Sequence, residues 1–126
     1  MPSKTTSGVP EGIRESLKKA TTEMLVLFLL KQKSMYTYEM MSTIEKLSEG
    51  RITFNTLYQA IYRLQGFSYI KESSKVMSES NRVRIYYAIT DSGKEYLTAL
   101  IENYCVMTDA IEKILSLDGK ICGEAE

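Results

Sequence analysis

Seven consecutive apolar residues, Met24–Leu30, place the strongest constraint on how this chain folds. A helix made from such a run presents apolar side chains in every direction, so protein has to cover all of its faces. At 126 residues the chain supports one domain with a modest core. We therefore expect one face of this helix to meet a second subunit. The alternative is a central core helix enclosed within one protomer.

The segments before this run are predicted from composition and capping. Residues 1–10 are rich in Ser, Thr, Gly and Pro, which is typical of a flexible N-terminal arm. Residues 11–19 are predicted to form a short helix. Thr21 or Thr22 is then a candidate N-cap for a separate helix that carries the apolar run. The pattern therefore favours two helices here.

Two amphipathic helices separated by a short turn follow. The first is predicted over residues 36–47 and ends at Ser48-Glu49-Gly50, where glycine stops the helix. Thr53 is predicted to cap the second, which runs from about residue 54 to residue 66. Four apolar residues at helical spacing form its inward face: Leu57, Ala60, Ile61 and Leu64. This arrangement is typical of a helix-turn-helix.

The outward face of that second helix is polar but carries few charges. Asn55, Tyr58, Gln59 and Tyr62 lie on it, with Arg63 beside them. A merely solvated helix normally carries Glu and Lys on its outer face. Amide, hydroxyl and guanidinium groups instead bind phosphates and the edges of bases. We interpret this face as a nucleic-acid recognition surface, against the alternative of an ordinary surface helix with unusual polar residues.

A β-hairpin with basic residues comes next. Residues 69–73 and 83–89 are β-branched or aromatic with partial alternation, and a polar segment separates them. The hairpin tip is predicted at Ser78–Asn81, with Lys75, Arg82 and Arg84 near it. A helix-turn-helix followed by such a hairpin is a winged helix. In that architecture the second helix enters the major groove, and the wing, over residues 70–89, lies on the backbone or minor groove.

A long helix is predicted over residues 91–117, capped by Thr90-Asp91-Ser92-Gly93. Some twenty-five residues span roughly 38 Å, more than packing against its own domain requires. Its near-heptad apolar seam and acidic outer face favour a dimerisation arm, with folding back over its own winged helix as the alternative. Residues 118–126 are expected to form a flexible tail. The residues predicted at the dimer interface are Leu25, Phe28, Leu97, Ile101, Tyr104, Thr108, Ile111 and Leu115.

The predicted fold class is therefore mainly α with a small β-hairpin. A winged helix-turn-helix DNA-binding domain is expected over residues 11–90, followed by a long C-terminal dimerisation helix. The net charge is zero overall, but the charges are unevenly distributed. Residues 51–94 hold seven basic and three acidic residues, whereas residues 95–126 hold two basic and seven acidic ones. A basic middle and an acidic end suit a duplex-facing core and a partner-facing arm.

Several classes of function are disfavoured by residues that the sequence lacks. It contains no histidine, which excludes Ser-His-Asp and Cys-His nucleophile systems and His-based metal sites. We expect no enzyme activity, catalytic residue, metal or cofactor. No segment has the roughly 18–20 apolar residues needed to span a membrane. Cys105 and Cys122 lie far apart, which fits a reducing cytosol and a cytoplasmic protein.

Four groups of residues occur in the order and spacing of a known family: Glu23-Met24-Leu25-Val26-Leu27; Tyr38-Glu39; Thr56-Leu57-Tyr58 with Arg63-Leu64; and Tyr86-Tyr87 with Thr90 and Gly93. Over about residues 18–115 the chain resembles the PadR-like transcriptional regulators, particularly the short branch with a single C-terminal helix. Glycine is usual in that family where this chain has Thr37 and Ser68, and Pro-Gly is usual in place of Phe54-Asn55. The base sequence that members of the family recognise is therefore not assigned to this chain.

The resemblance implies a homodimeric, sequence-specific DNA-binding regulator, usually a repressor of nearby genes. Some relatives respond to small aromatic compounds, and Phe28, Tyr96, Tyr104 and Met107 are candidates for a pocket that binds such an effector. The alternative is that these four side chains are simply interface core. Cys105 is a candidate redox sensor or an inert thiol.

The predicted DNA contacts combine base readers and phosphate clamps. Asn55 and Gln59 suit adenine, Arg63 suits guanine or phosphate, and Lys19, Arg82 and Arg84 would hold the backbone. The full set is Thr53, Asn55, Thr56, Tyr58, Gln59, Tyr62, Arg63, Lys19, Arg82 and Arg84. A rival function is a winged-helix protein–protein interaction module that does not bind DNA.

Overall fold

The computed structural model describes residues 8–122, which form four helices and a three-stranded antiparallel sheet. The elements in chain order are α1 (Gly12–Gln32), β1 (Met35–Tyr36), α2 (Thr37–Leu47), α3 (Tyr58–Gly66), β2 (Ile70–Met77), β3 (Val83–Ile89) and α4 (Asp91–Leu115). The predicted fold class, mainly α with a β-hairpin in a winged helix-turn-helix, is confirmed. Of the predicted flexible ends, residues 1–7 and 123–126 lie outside the described range.

The first helix is continuous, so the prediction of two helices before residue 33 is wrong. Thr21 and Thr22 do not cap a helix. Their hydroxyl groups donate to the carbonyl oxygens of Leu17 at 2.7 Å and Lys18 at 2.6 Å, one turn earlier. A threonine hydroxyl can bond to a carbonyl oxygen inside a helix or cap the start of one. The residue type alone therefore does not show whether a helix begins at Thr21 or Thr22.

The apolar run of α1 forms the centre of the protomer. Val26, Leu27, Leu29 and Leu30 are buried, and α2, α3, α4 and β3 all pack against α1. Each fully buried side chain of this size contributes roughly 1.5–3 kcal/mol. Phe28 differs, since 45% of its surface is exposed. A core helix within one protomer therefore accounts for most of the run, and Phe28 is left exposed to solvent.

The turn before α3 is longer than predicted, and the prediction that the helix starts near residue 54 is wrong. The helix begins at Tyr58, after Leu57 as N-cap, and Thr53 does not cap it. Lys18 on α1 donates a hydrogen bond to the carbonyl oxygen of Thr53 at 2.8 Å. The Lys18 ammonium also lies 5.4 Å from the centroid of the Phe54 ring. These two contacts fasten the loop to α1.

The inward face of α3 matches the sequence pattern. Its four apolar residues, Leu57, Ala60, Ile61 and Leu64, are all buried. They pack with Met40 and Ile44 of α2, which are buried as well. The stop after α2 lies where it was predicted, because Glu49 and Gly50 both adopt positive φ. The helix-turn-helix therefore has a longer turn and a shorter second helix than expected.

The sheet has the order β1-β3-β2. The hairpin of β2 and β3 was predicted, although β2 extends to Met77 instead of residue 73. The two-residue strand β1 was not predicted, since two residues are too few to show a period. It pairs Met35 with Tyr87 and Tyr36 with Tyr86. This pairing ties the base of the hairpin to the connection between α1 and α2.

The last helix leaves its own domain after its first turns. Thr90 caps it by accepting a hydrogen bond from the Gly93 amide at 3.0 Å. Leu97 is only 2% exposed and belongs to the core of its own chain, so a place in a subunit interface is not available to it. From Ile101 to Leu115 the side chains are exposed apart from the half-buried Thr108. Helix α4 ends at Leu115, two residues before the predicted end.

Candidate nucleic-acid interface

The outward face of α3 is open to solvent. Tyr58 and Tyr62, four residues apart, are 72% and 70% exposed, and Gln59 is exposed between them. Together with Arg63 these residues line one shallow surface depression. Large aromatic side chains left this exposed on a helix are unusual in a monomer and mark a binding face. We call Tyr58, Gln59 and Tyr62 the reading face.

A groove between α1 and α3 adjoins the reading face. Its walls include Lys18 and Lys19 of α1 and Thr56, Gln59 and Arg63 of the loop and α3. The structure therefore brings Lys19 beside the reading face, although the two lie forty residues apart in sequence. A cation at the rim of a polar helix face is suitably placed to meet a phosphate while the helix meets bases.

Three of the predicted contacts lie in the loop before α3. Thr53, Asn55 and Thr56 are exposed there and not on the helix. The hydroxyl of Thr56 accepts a hydrogen bond from the Tyr58 amide at 3.1 Å. Thr56 therefore supports the first turn of α3. Asn55 lies at the entry to the helix, so its reach toward a duplex depends on the loop.

Arg63 has a partner within the protein. Its Nε donates to Glu23 Oε2 on α1 at 2.7 Å, with the Arg63 side chain 52% and the Glu23 side chain 24% exposed. A charge-assisted hydrogen bond of this length fixes the direction of the guanidinium. Arg63 therefore holds α3 against α1 through Nε, while the N–H donors of its two Nη groups are not engaged by Glu23.

The wing arginines differ from each other. Arg82 is exposed beside the tip, where Asn81 adopts a positive φ of 62°. The Arg84 guanidinium lies 4.6 Å from the centroid of the Tyr36 ring, and that ring meets Tyr86 edge to face at 5.3 Å. Cation–π contact of this kind anchors Arg84 to the base of the wing. Arg82 is therefore the freer of the two cations.

A β-bulge decides the face of Lys75, which was predicted to lie near the hairpin tip but was not among the predicted DNA contacts. The register shifts between Glu72 and Ser74, so Lys71 pairs with Ala88 but Lys75 pairs with Ile85. Paired residues share a face of the sheet, and successive residues alternate between faces. Lys71 and Lys75 therefore lie on opposite faces, and Lys75 shares its face with Tyr87. Nothing in the sequence indicates this bulge, so the face of the sheet on which Lys75 lies was not predicted.

Tyr87 lies on the face of the wing that also carries Lys75. Burial raises the pKa of Tyr87, and the nearby Glu72 carboxylate and the Tyr58 phenol raise it further. Tyr58 at the start of α3 therefore lies close to Tyr87 of the wing. The phenol of Tyr87 stays protonated at neutral pH and available as a hydrogen-bond donor.

The candidate effector residues are engaged in different ways. The Tyr96 ring stacks on the Tyr69 ring with centroids 4.3 Å apart. Tyr104 borders a surface cleft with Leu17 of α1 and Ile52 of the α2–α3 loop. Phe28 and Met107 are largely exposed. An effector pocket shared by these four side chains remains a prediction.

Residues 8–122 lack two further kinds of feature, a cluster of metal ligands and a membrane-spanning helix. Within that range no three His, Cys, Asp or Glu side chains lie together as ligands for a metal ion. None of the helices in the same range combines the length and the apolar character needed to cross a membrane.

The fold and sequence match known proteins. An uncharacterized protein of Lysinibacillus sphaericus is 26% identical over 102 residues, which cover 79% of this chain and 93% of that protein. A transcriptional regulator from Clostridium thermocellum is 27% identical with a TM-score of 0.69, covering 78% of this chain and 96% of its own. A PadR-like transcriptional regulator from Bacillus cereus shares the fold, at 23% identity and a TM-score of 0.65, covering 79% and 96%.

A family model supplies the assignment. The model of the transcriptional regulator PadR-like family matches residues 26–99, from the core of α1 through the reading face and the wing into the first turns of α4. The matched span is more than half of the chain and includes every element of the winged helix. The chain belongs to the PadR-like family of transcriptional regulators.

Proposed function

We propose that this protein is a sequence-specific DNA-binding regulator that acts as a homodimeric repressor in the cytoplasm. The observation that carries the proposal is the reading face, where Tyr58, Gln59 and Tyr62 are exposed on a helix whose other side is buried. Such a face presents hydrogen-bonding groups without the charged residues of an ordinary solvated surface. In a winged helix it enters the major groove.

Exposed cations lie on α1 and on the wing, the two elements that accompany the reading helix in a winged helix. Lys19 lies across the groove from α3, and Lys75 and Arg82 lie on the wing. We infer that these three bind phosphates on either side of the recognised bases. Arg63 and Arg84 are not included among the primary contacts, because Glu23 and Tyr36 already engage them.

Dimerisation would come from the half of α4 that its own domain leaves uncovered. Ile101, Ile111 and Leu115 recur along one side of the helix and remain exposed, as does Phe28 on α1. An exposed apolar seam of this length suits a second copy of the same helix. Two reading faces would then meet successive major grooves about 34 Å apart.

Replacing one base reader tests the proposal. Gln59→Ala should weaken binding to the preferred sequence by roughly 1–3 kcal/mol and relax the preference at one base pair. Gln32→Ala is the matched control, since Gln32 is also an exposed glutamine but lies at the far end of α1 and donates to Phe28 at 3.0 Å. Selection from a random duplex library, repeated with each variant, measures both effects. Equal affinity and preference for Gln59→Ala and wild type would remove Gln59 from the reading face.

The rival function is a winged helix that binds another protein and no DNA. The zero net charge and the exposed apolar arm of α4 are compatible with it. The two functions differ in their response to salt, because only DNA binding releases many counterions from phosphates. A library selection that recovers no preferred sequence, together with binding that salt hardly affects, would favour the interaction module.

A further inference from the structure

The turn between α3 and β2 lies against the first turns of α4. Residues 67–69 make this turn, which begins where the reading helix ends. Helices α3 and α4 make little direct contact with each other. The orientation of one relative to the other therefore depends on this turn and on α1, which packs against both helices. We call residues 67–69 the junction turn.

Hydrogen bonds fasten the junction turn to the start of α4. The hydroxyl groups of Thr90 and Ser92 both donate to the carbonyl oxygen of Ser68, at 2.7 and 3.2 Å. The amide of Thr90 donates to the carbonyl oxygen of Tyr69 at 3.0 Å. Ser68 adopts a positive φ of 62°, a conformation that residues other than glycine rarely take. The two bonds to its carbonyl oxygen help to hold that conformation.

Tyr69 connects the two helices through its backbone. Its amide donates to the carbonyl oxygen of Leu64, in the last turn of α3, at 2.9 Å. Its carbonyl oxygen accepts the bond from Thr90 and also lies against Gly93, where an added Cβ would overlap it. Because Gly93 has no side chain, the backbone of α4 is seated directly on the turn that ends α3.

The side chain of Tyr69 completes the connection. Its ring stacks on the ring of Phe67, the C-cap of α3, with centroids 5.7 Å apart and planes inclined by 26°. It also stacks on the ring of Tyr96 of α4, with centroids 4.3 Å apart and planes inclined by 13°. Aromatic pairs prefer particular stacking geometries, so they restrict the relative orientation of the elements that carry them. Three rings thus lead from the end of α3 to α4.

We propose that Tyr69 is a positioning residue whose ring stack on Phe67 and Tyr96 holds the reading helix α3 at a fixed angle to α4, and thereby sets the spacing between the two half-sites on DNA. The proposal rests on the proposed function, since it assigns α3 to DNA and α4 to the dimer. In a dimer joined through α4, a change of this angle moves the two reading faces apart or together.

The length of α4 makes this angle important. From Gly93 to Leu115 the helix extends about 33 Å, at roughly 1.5 Å per residue. A rotation of about 10° at the junction turn therefore displaces the far end of α4 by about 6 Å relative to α3. Neighbouring base pairs are about 3.4 Å apart, so a rotation of this size is enough to shift a half-site by at least one base pair.

The first experiment needs no DNA. Residual dipolar couplings of the backbone amides, measured by NMR, give the angle between α3 and α4 in the wild type, in Tyr69→Leu and in Tyr36→Leu. Tyr69→Leu removes the ring stack and keeps an apolar side chain. We expect its α4 couplings to show a changed angle to α3 or a reduced amplitude, because the stack no longer restricts the two helices. Couplings in Tyr69→Leu that fit the wild-type angle and amplitude would overturn the proposal.

Tyr36→Leu is the matched control. Tyr36 is a half-buried tyrosine like Tyr69, and its ring meets the ring of Tyr86 edge to face at 5.3 Å. It lies on β1 and packs beside the wing instead of the junction turn. The angle between α3 and α4 should be unchanged in this variant. If Tyr36→Leu alters the angle as much as Tyr69→Leu does, the effect belongs to a general loosening of the fold and the proposal fails.

A double variant covers the case in which Tyr69→Leu does not fold. Phe67→Ala combined with Ser92→Ala removes one ring of the stack and one hydrogen bond to Ser68. Both side chains are exposed, so circular dichroism should show the wild-type helix content. The couplings of α4 should again depart from the wild-type values. A folded double variant with wild-type couplings would also overturn the proposal.

The second experiment measures binding to duplexes whose two half-sites are moved apart or together by one base pair. The ratio of affinities between the preferred and the altered spacing should fall roughly twofold to thirtyfold in Tyr69→Leu, because a looser junction tolerates the altered spacing. The ratio should stay at the wild-type value in Tyr36→Leu, where any loss of affinity applies equally to both duplexes.

The outcomes of the second experiment separate the two proposals. An unchanged ratio in Tyr69→Leu would overturn the role of Tyr69 while leaving the proposed function standing. If the wild type binds no DNA, the proposed function fails, and the dipolar couplings alone decide whether Tyr69 holds the angle between α3 and α4.

Discussion

The ammonium of Lys18 on α1 donates a hydrogen bond to the backbone carbonyl oxygen of Thr53, 2.8 Å away. The same ammonium faces the Phe54 ring at 5.4 Å. One side chain of α1 thereby holds the loop that leads into α3. This tertiary contact and the Thr56 hydroxyl support the start of the reading helix. Thr53, the predicted N-cap, does not cap it.

Removing the Lys18 side chain should loosen that loop. Lys18→Ala deletes one hydrogen bond to a backbone carbonyl, which should lower the free energy of unfolding by roughly 1 kcal/mol. Hydrogen exchange at the amides of residues 53–56 should become faster, and affinity for DNA should fall. Urea unfolding and hydrogen exchange by mass spectrometry measure these effects.

The neighbouring lysine is the matched control. Lys19 is exposed at the rim of the groove, so Lys19→Ala should leave stability and loop exchange unchanged. It should instead reduce the salt dependence of DNA binding by about one phosphate contact per subunit. Equal exchange rates at residues 53–56 in Lys18→Ala and Lys19→Ala would show that Lys18 does not hold the loop.

Substitution by alanine should have opposite effects on the stability of the protein at two glycine positions. A Cβ at Gly93 would overlap the carbonyl oxygen of Tyr69 and lie 2.8 Å from Ile89 Cγ1, so α4 would have to move away from the sheet. Gly93→Ala should therefore destabilise the protein by roughly 1–3 kcal/mol. A Cβ at Gly66, in the last position of α3, meets nothing within 4 Å.

Gly66→Ala should consequently be neutral or stabilise the protein by up to about 1 kcal/mol, since alanine is the better helix former. Thermal unfolding of the two variants beside the wild type gives the comparison. A Gly93→Ala variant that unfolds at the wild-type temperature would mean that α4 does not approach Tyr69 this closely.

Stability should fall in alkali partly because of Tyr96. Its pKa in the folded protein is raised above the ordinary value of 10.0 by burial and by Glu23. The folded state therefore holds this proton more tightly than the unfolded state, so its contribution is fully present below pH 10 and is lost as the pH rises beyond it.

Tyr96→Phe removes that titration. The free energy of unfolding of the variant should lack the part that depends on the protonation of this phenol. It should then decline less than that of the wild type between about pH 8 and about pH 11. Tyr87, whose pKa is also raised, contributes a similar decline to both proteins. Parallel curves for variant and wild type would contradict the assignment to Tyr96.

A charge within the seam of α4 should separate the proposed dimer. Ile111 is 48% exposed on the side of the helix that carries Ile101 and Leu115. Ile111→Asp should shift the protein toward monomer in sedimentation equilibrium, because a buried unpaired carboxylate disfavours association. Val106 is also exposed but points to the opposite side, so Val106→Asp should leave the oligomeric state unchanged. The same molecular mass for both variants would place the interface elsewhere.

Features that depend on a local pattern were predicted from the sequence. The buried side of α3, the stop after α2 and the hairpin all follow from spacing and from turn residues. The predicted start of α3 was wrong, and the loop before it is bonded at Thr53 to Lys18, thirty-five residues earlier in the chain. The strand β1 was missed because two residues have no period, and its partner Tyr86 lies fifty residues away.

The candidate site was predicted less completely than the fold. Tyr58, Gln59 and Tyr62 were recognised because their types are unusual for an exposed helix face. Arg63 has the right type and spacing as well, yet Glu23 engages it from another helix. Lys75 was predicted near the hairpin tip but not among the DNA contacts, since the bulge at Glu72 to Ser74 decides its face. Pairings across elements are decided by packing, which a single sequence does not display.

The most direct test of the proposed function is the salt dependence of binding to the DNA upstream of the protein's own gene. Fluorescence anisotropy gives the affinity at several salt concentrations. Contacts from Lys19, Lys75 and Arg82 in each of two subunits predict a log–log slope of about −5, at about −0.9 per phosphate contact. The slope should be about −3.6 in Lys19→Ala, since one contact is lost from each subunit. Specific binding with these slopes is the predicted result; a slope near zero, or no binding to this DNA, would contradict a DNA-binding regulator.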